Sequence, residues 1–173
     1  MNILIAFYSE SGNTRKIAEA MARGLSSAPD TVVDLQHIEE VSPARWGNYD
    51  LIFIGTPAIS WTVAEPVKNA FENFPSDTCP VFKLALFVTY GVPDIRFYGE
   101  CIELIKSYCQ KMNVEYLGEF CCQGEHRVID RLAEKFPEKV ALAQTSIGHP
   151  DAVDLQRAAD FAVDIYSRAI DET

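Results

Sequence analysis

Ile3-Leu4-Ile5-Ala6-Phe7-Tyr8, followed at once by Ser9-Glu10-Ser11-Gly12-Asn13-Thr14, is the stretch that decides the fold. An unbroken apolar run that ends in polar, glycine-containing residues reads as a strand buried on both faces. Directly downstream, Ile17, Ala18, Met21, Ala22 and Leu25 share one face of a helix. Strand, turn and helix therefore follow one another within the first 25 residues.

The same alternation continues along the chain. Strands are expected at Thr31 to Leu35, Asp50 to Gly55, Leu84 to Thr89 and Glu115 to Cys121. Pro66 suits the first turn of a helix that carries Val67, Ala70, Phe71 and Phe74 inward. Cys101, Ile105, Tyr108 and Met112 mark a further helix, and Pro150-Asp151 opens the last one, with Leu155, Ala158, Ala162, Ile165 and Tyr166 inward. Strands alternating with helices imply a doubly wound five-stranded parallel sheet, helices on both faces, joined by right-handed crossovers. Residues 1–173 read as a single domain with one insertion at about 123–149, too long for a simple link and faintly helical at Val128, Ile129, Leu132 and Phe136. That insertion packs outside the sheet or acts as a lid.

Composition narrows the function. Twenty-five acidic residues against fifteen basic ones leave a net charge of −10, which argues against nucleic acid as a partner, because phosphate backbones need a basic footprint. An acidic surface suits a basic protein partner instead. The longest apolar runs fall far short of the roughly 20 residues of a membrane helix. With no basic, cleavable N-terminal segment and five cysteines lacking C-x-x-C spacing, the expectation is a cytoplasmic protein with reduced thiols, off the membrane, a monomer or weak homodimer. No metal site is expected: Cys121 and Cys122 are adjacent, so on a strand they face opposite ways, and His126 completes no recognised zinc spacing.

In such sheets ligands bind beyond the carboxyl ends of the strands, which singles out Ser9 to Thr14, Thr56 to Thr62 and Thr89 to Phe97. The first loop packs hydroxyls, a carboxamide and a glycine against a helix N-terminus, where unpaired N–H groups and the positive end of the dipole meet. One Ser or Asn there would be a helix cap. A whole hydroxyl-rich run after a buried strand points to a phosphate held without lysine. Neither Gly-Lys-Ser/Thr nor G-x-G-x-x-G is present, so a P-loop NTPase and a dinucleotide fold are both excluded. A receiver-type signalling domain is excluded as well, because Gly55-Thr56 stands where its phosphorylated Asp would end the third strand.

Phe7-Tyr8-Ser9-Glu10-Ser11-Gly12-Asn13-Thr14, with Ala18 following, resembles the phosphate-loop signature of the flavodoxin family, aromatic-Ser-x-Ser/Thr-Gly-Asn-Thr-x-x-x-Ala. Gly55-Thr56-Pro57 is similar to that family's second flavin loop and Thr89-Tyr90-Gly91 to its third. The resemblance implies FMN as cofactor. On it, Ser9, Ser11, Gly12, Asn13 and Thr14 hold the phosphate, with Glu10 giving chiefly its backbone N–H. Thr56, Pro57 and Ala58 line the ribityl chain and ring edge, and Thr89, Tyr90 and Gly91 face the pyrimidine end. The family commonly places an aromatic or Met at the position of Ile59, whereas the tryptophan here is Trp61, so either residue covers the ring.

The resemblance further implies an electron carrier between redox proteins, such as a basic reductase, with no catalytic side chain. The alternative is an FMN-dependent NAD(P)H:quinone or nitro-compound reductase. A carboxylate ~6 Å from the ring, at an effective dielectric of ~20, opposes an added electron by about 2.8 kcal/mol, roughly 120 mV in a one-electron step. None of His37, His126 and His149 is spaced to form a catalytic pair; each reads as a surface or capping residue, with His149 able to reach the site if the insertion folds back.

Overall fold

The computed structural model describes residues 1–75, 80–126 and 129–171; Cys79 and Val128 lie outside them. The strands are β1 (Asn2–Phe7), β2 (Val32–His37), β3 (Leu51–Ile59), β4 (Thr62–Val63), β5 (Lys83–Tyr90) and β6 (Glu115–Gln123). The helices are α1 (Asn13–Leu25), α2 (Glu65–Glu72), α3 (Gly99–Met112), α4 (Ile129–Lys135), α5 (Val140–Gln144) and α6 (Ala152–Asp171). Five parallel strands pair in the order β2-β1-β3-β5-β6, as the alternating pattern requires.

A sixth, antiparallel strand is added to the five parallel ones. β3 runs four residues past Gly55 and turns back on itself, so that β4 pairs with it antiparallel through Ala58 with Val63 and Ile59 with Thr62. A two-residue strand is too short to show any periodicity. At the edge, β2 extends to His37, two residues beyond its last apolar position. Gln36 and His37 pair with Ala6 and Phe7 through the backbone, and a half-exposed edge tolerates polar side chains.

Alternate side chains divide the core into two layers. Ile3, Ile5 and Phe7 point toward α1 and α6, where Ile17, Met21, Ala158, Ala162 and Ile165 close the layer. Leu4 and Ala6 point the other way, toward Val67 and Phe71 of α2 and Cys101 and Ile105 of α3. Trp46 is fully buried in this second layer, edge-on to Phe71 and Phe82. Cys121 packs in one layer and Cys122 in the other, as adjacent strand residues must. Burial pushes the Cys121 thiol up to about 12 and raises Cys122 as well, so both are inert.

The chain leaves β1 for β2 on one side and continues to β3 on the other. Their carboxyl ends therefore diverge and open a crevice there. Between β6 and α6, residues 124–149 carry α4, a short 3-10 turn and α5. Leu132, Phe136 and Ala143 of this segment pack with Val92 and Phe97, forming a small apolar cluster separate from the two main layers.

Candidate functional site

At the end of β1 the backbone makes a tight turn into α1, and Gly12 carries it at φ 87°, a left-handed conformation that costs a side-chain-bearing residue energy. The Ser9 hydroxyl oxygen accepts from the N–H groups of Gly12 at 3.1 Å and Arg15 at 3.2 Å. With two N–H groups on its oxygen, Ser9 keeps its hydroxyl hydrogen to give. The N–H groups of Glu10, Ser11 and Thr14 have no acceptor among the described residues. No acidic residue occupies the first turn of α1, and the Glu10 carboxylate is turned to the Tyr8 hydroxyl at 2.9 Å. Donors and the positive dipole end thus converge without an opposing charge in the turn.

The second and third loops face this turn. Glu10, Ser11 and Asn13 line one cleft of about 180 Å³ together with Pro57, Ala58, Ile59, Thr89, Tyr90 and Gly91. Sequence reading named all nine. Five others serve from behind or stand apart. Ser9 and Gly12 shape the turn. Thr14 is buried, its hydroxyl 2.9 Å from that of Thr89, so the pair ties the first loop to the third and retains one hydroxyl hydrogen for a ligand. The buried Thr56 hydroxyl donates to the Pro57 carbonyl and accepts from Ala64 N–H, bracing the β3–β4 hairpin. Trp61 lies outside this cleft, edge-on to Phe97 at 5.8 Å and Phe136 at 5.7 Å, while Ile59 is the hairpin side chain on the cleft. Tyr90 stacks on Tyr98 with ring centroids 4.1 Å apart, and burial, more than Tyr98, pushes its hydroxyl up to about 12.

Three residues of the cleft were not foreseen: Gly124, Glu125 and His126. The insertion does fold back, but His126 reaches the site, not His149. Gly124 N–H continues the sheet ladder by donating to the Tyr90 carbonyl at 2.9 Å. The Asn13 side-chain amide donates to the Glu125 carbonyl at 3.1 Å, and the His126 N–H is held by the buried Ser146 hydroxyl. A Cβ on Gly91 would lie 2.3 Å from the His126 ring, so the imidazole rests directly on that glycine. Burial lowers the His126 pKa below the ordinary histidine value. His149 instead bonds Asp154 at 2.5 Å beside the Asp151 cap of α6. The only hint of this in the sequence was that the insertion begins at the carboxyl end of a strand.

A model of the flavodoxin domain matches residues 4–163. The chain belongs to the flavodoxin family. An uncharacterized protein of Methanocaldococcus jannaschii is 30% identical over 88% of this chain and 89% of its own length. A flavodoxin of Clostridium beijerinckii is 28% identical over 60% of this chain and 75% of its own. Among solved structures, Flavodoxin 2 of Bacillus cereus superposes with a TM-score of 0.72 at 19% identity, covering 97% of this chain and 99% of that one, a likeness of fold.

Membership implies a flavin cofactor, and the residues present fit one. The first loop offers a phosphate monoester the free N–H groups of Glu10, Ser11 and Thr14, together with the Ser9 hydroxyl. The cleft continues past Ala58, Tyr90 and His126 into a second space of about 140 Å³, in the direction a flat ring would extend. The insertion is fastened there by Asp94, whose carboxylate takes Arg96 at 2.6 Å and Lys139 at 2.8 Å. Arg96 first, and Lys139 second, hold this carboxyl well below the usual carboxylate range.

That latch gives a pH prediction. A group whose pKa is depressed on folding stabilises fully above its unfolded pKa, about 3.9, and loses that contribution as pH falls through the folded value. The latch's contribution should therefore begin to fall below pH ~4 and be lost only when the pH drops well under the usual carboxylate range, through the depressed folded value. Asp94→Asn should release the insertion at neutral pH, read as faster proteolytic nicking within 129–149 and a red-shifted Trp61 emission at little change in Tm. An insertion equally protected in wild type and variant would show that the ion pairs do not hold it.

Proposed function

We propose that this chain binds FMN across the cleft and carries electrons one at a time between larger redox proteins. The observation that carries this reading is the set of unpaired N–H groups at the start of α1, set at the switch point of the sheet. When bound, the flavin supplies the redox chemistry, and the protein's task is binding and electrostatic tuning. The Ser9 hydroxyl and the free N–H groups of Glu10, Ser11 and Thr14 would grip the phosphate, on the turn that Gly12 shapes. Pro57, Ala58 and Ile59 would exclude water from one face of the ring, while Tyr90 and Gly91 would offer backbone groups to its polar edge. Exposed carboxylates of Glu10, Glu39, Glu40 and Glu125 stand at this end of the sheet. They oppose added negative charge on the ring and suit a basic docking partner, such as a reductase.

The test begins with colour. The purified chain should be yellow, or become so with FMN, and release FMN on denaturation; a chain that takes up no flavin overturns the reading. FMN-loaded protein mixed with NAD(P)H and a quinone, with no reductase present, should turn over slowly. Rapid turnover would replace the carrier by an NAD(P)H-dependent reductase.

A further inference from the structure

On the outer side of the first loop, a crevice of about 310 Å³ opens between α1 and the end of β2, within the size range of small-molecule sites. It meets the phosphate turn at Ser9 and shares no lining residue with the flavin cleft or the space beyond it. Phe7, Leu35 and His37 form its floor: Phe7 pairs with His37 in the sheet, and Leu35 stands two residues earlier on the same face. β2 is the edge strand, so no further strand covers Leu35, which stays 37% exposed.

Charged groups stand at two places around this floor. Arg15, the residue after the free N–H of Thr14, donates through Nε to Glu19 at 2.9 Å, and its terminal amino groups have no acceptor among the described residues. Glu40 lines the crevice just past the end of β2, and its carboxylate has no partner among the described residues. A guanidinium next to the phosphate turn suits a second phosphate, an apolar floor suits a flat base, and a lone carboxylate accepts from a pair of ribose hydroxyls. In doubly wound sheets the acidic group that takes ribose hydroxyls stands in this same region, downstream of the first turn and helix.

We propose that this crevice holds an adenosine unit, the nucleoside half of FAD, so that the chain accepts the dinucleotide as well as FMN. The inference rests on the flavin reading above: the flavin half keeps the cleft, and its own phosphate keeps the turn. The second phosphate lies outside the turn beside Arg15. It needs no close approach to the backbone, so the absence of G-x-G-x-x-G does not bar it. Glu40 and the Glu19–Arg15 pair leave one unpaired negative charge in the crevice, which repels a free phosphate there but accepts an uncharged nucleoside.

The full chain, stripped of flavin, is titrated in turn with FMN, FAD and adenosine. Affinities come from calorimetry, and the Leu35 methyl signals, assigned with Leu35→Glu, are followed by NMR. FAD should bind at least as tightly as FMN and shift the Leu35 methyls, which FMN leaves still. Leu35→Glu should weaken FAD about tenfold and FMN less than about twofold, and Glu40→Gln should weaken FAD about fivefold. FAD bound more weakly than FMN, Leu35 methyls that ignore FAD, or equal losses of both flavins in Leu35→Glu each overturn the proposal while the flavin reading stands. A chain that refuses both flavins sinks that reading; a saturable Leu35 shift with adenosine then upholds the crevice by itself, and no shift overturns both.

Discussion

Asn13→Asp is expected to weaken FMN binding about a hundredfold while riboflavin loses much less. Asn13 is buried on the cleft side of the first helical turn, its amide donating to the Glu125 carbonyl. Aspartate there changes two things. It removes the donor that ties the insertion to the loop, a loss shared by both ligands and worth about 1 kcal/mol. It also sets a carboxylate beside the phosphate, where one pair of unit charges ~5 Å apart repels by about 3 kcal/mol at an effective dielectric of 20. Only FMN carries that phosphate. The ligand-free chain should lose little stability, because a carboxylate in the first turn also gains about 0.3–1 kcal/mol from the helix dipole. Asn13→Ala isolates the first effect and should weaken both flavins alike. Equal losses of FMN and riboflavin in the aspartate variant would place the phosphate elsewhere.

Gly55→Ala should destabilise the whole domain by about 3 kcal/mol, seen as a lower urea midpoint with an unchanged m-value. Gly55 pairs with Phe7 on one side and Phe87 on the other, in the middle of the parallel sheet. An added Cβ would sit 2.1 Å from the Phe87 ring and 2.9 Å from Phe7 Cβ. Both phenylalanines are buried in the layer under α1 and α6, so neither can swing out to solvent. Pairing the substitution with Phe87→Leu should recover part of the loss, since a smaller side chain yields the space. A neutral Gly55→Ala would mean that the glycine serves the loop rather than the sheet.

The same glycine shows how far sequence reading reached. Gly55-Thr56-Pro57 is legible as a flavin-loop motif, yet its first two residues are used structurally: Gly55 admits the Phe87 ring beside the Phe7 Cβ, and the Thr56 hydroxyl braces the hairpin. The β1 run and the hydroxyl-rich turn were read correctly as strand and turn because their signals are local: an apolar run, then a glycine and polar donors. Trp61 was harder. The sequence shows an aromatic two places late, but only the turn at Ser60 and Trp61 decides that its indole sits against Phe97 and Phe136 rather than at the Ile59 position.

By itself, then, the chain of amino acids determined the doubly wound parallel sheet, the hydroxyl-rich glycine turn after β1 and the three loops that meet at the switch point. Each rests on patterns within about ten residues, where backbone periodicity, turn chemistry and the helix dipole act. Tertiary structure alone decided that Asn13 reaches Glu125, 112 residues away, that Thr14 pairs with Thr89, and that His126 rests on Gly91. These contacts depend on where the insertion closes over the sheet. Among the described residues the Lys139–Asp94 ion pair, the Asn13–Glu125 hydrogen bond and a small apolar cluster hold it there, and none of these leaves a repeating trace along the chain.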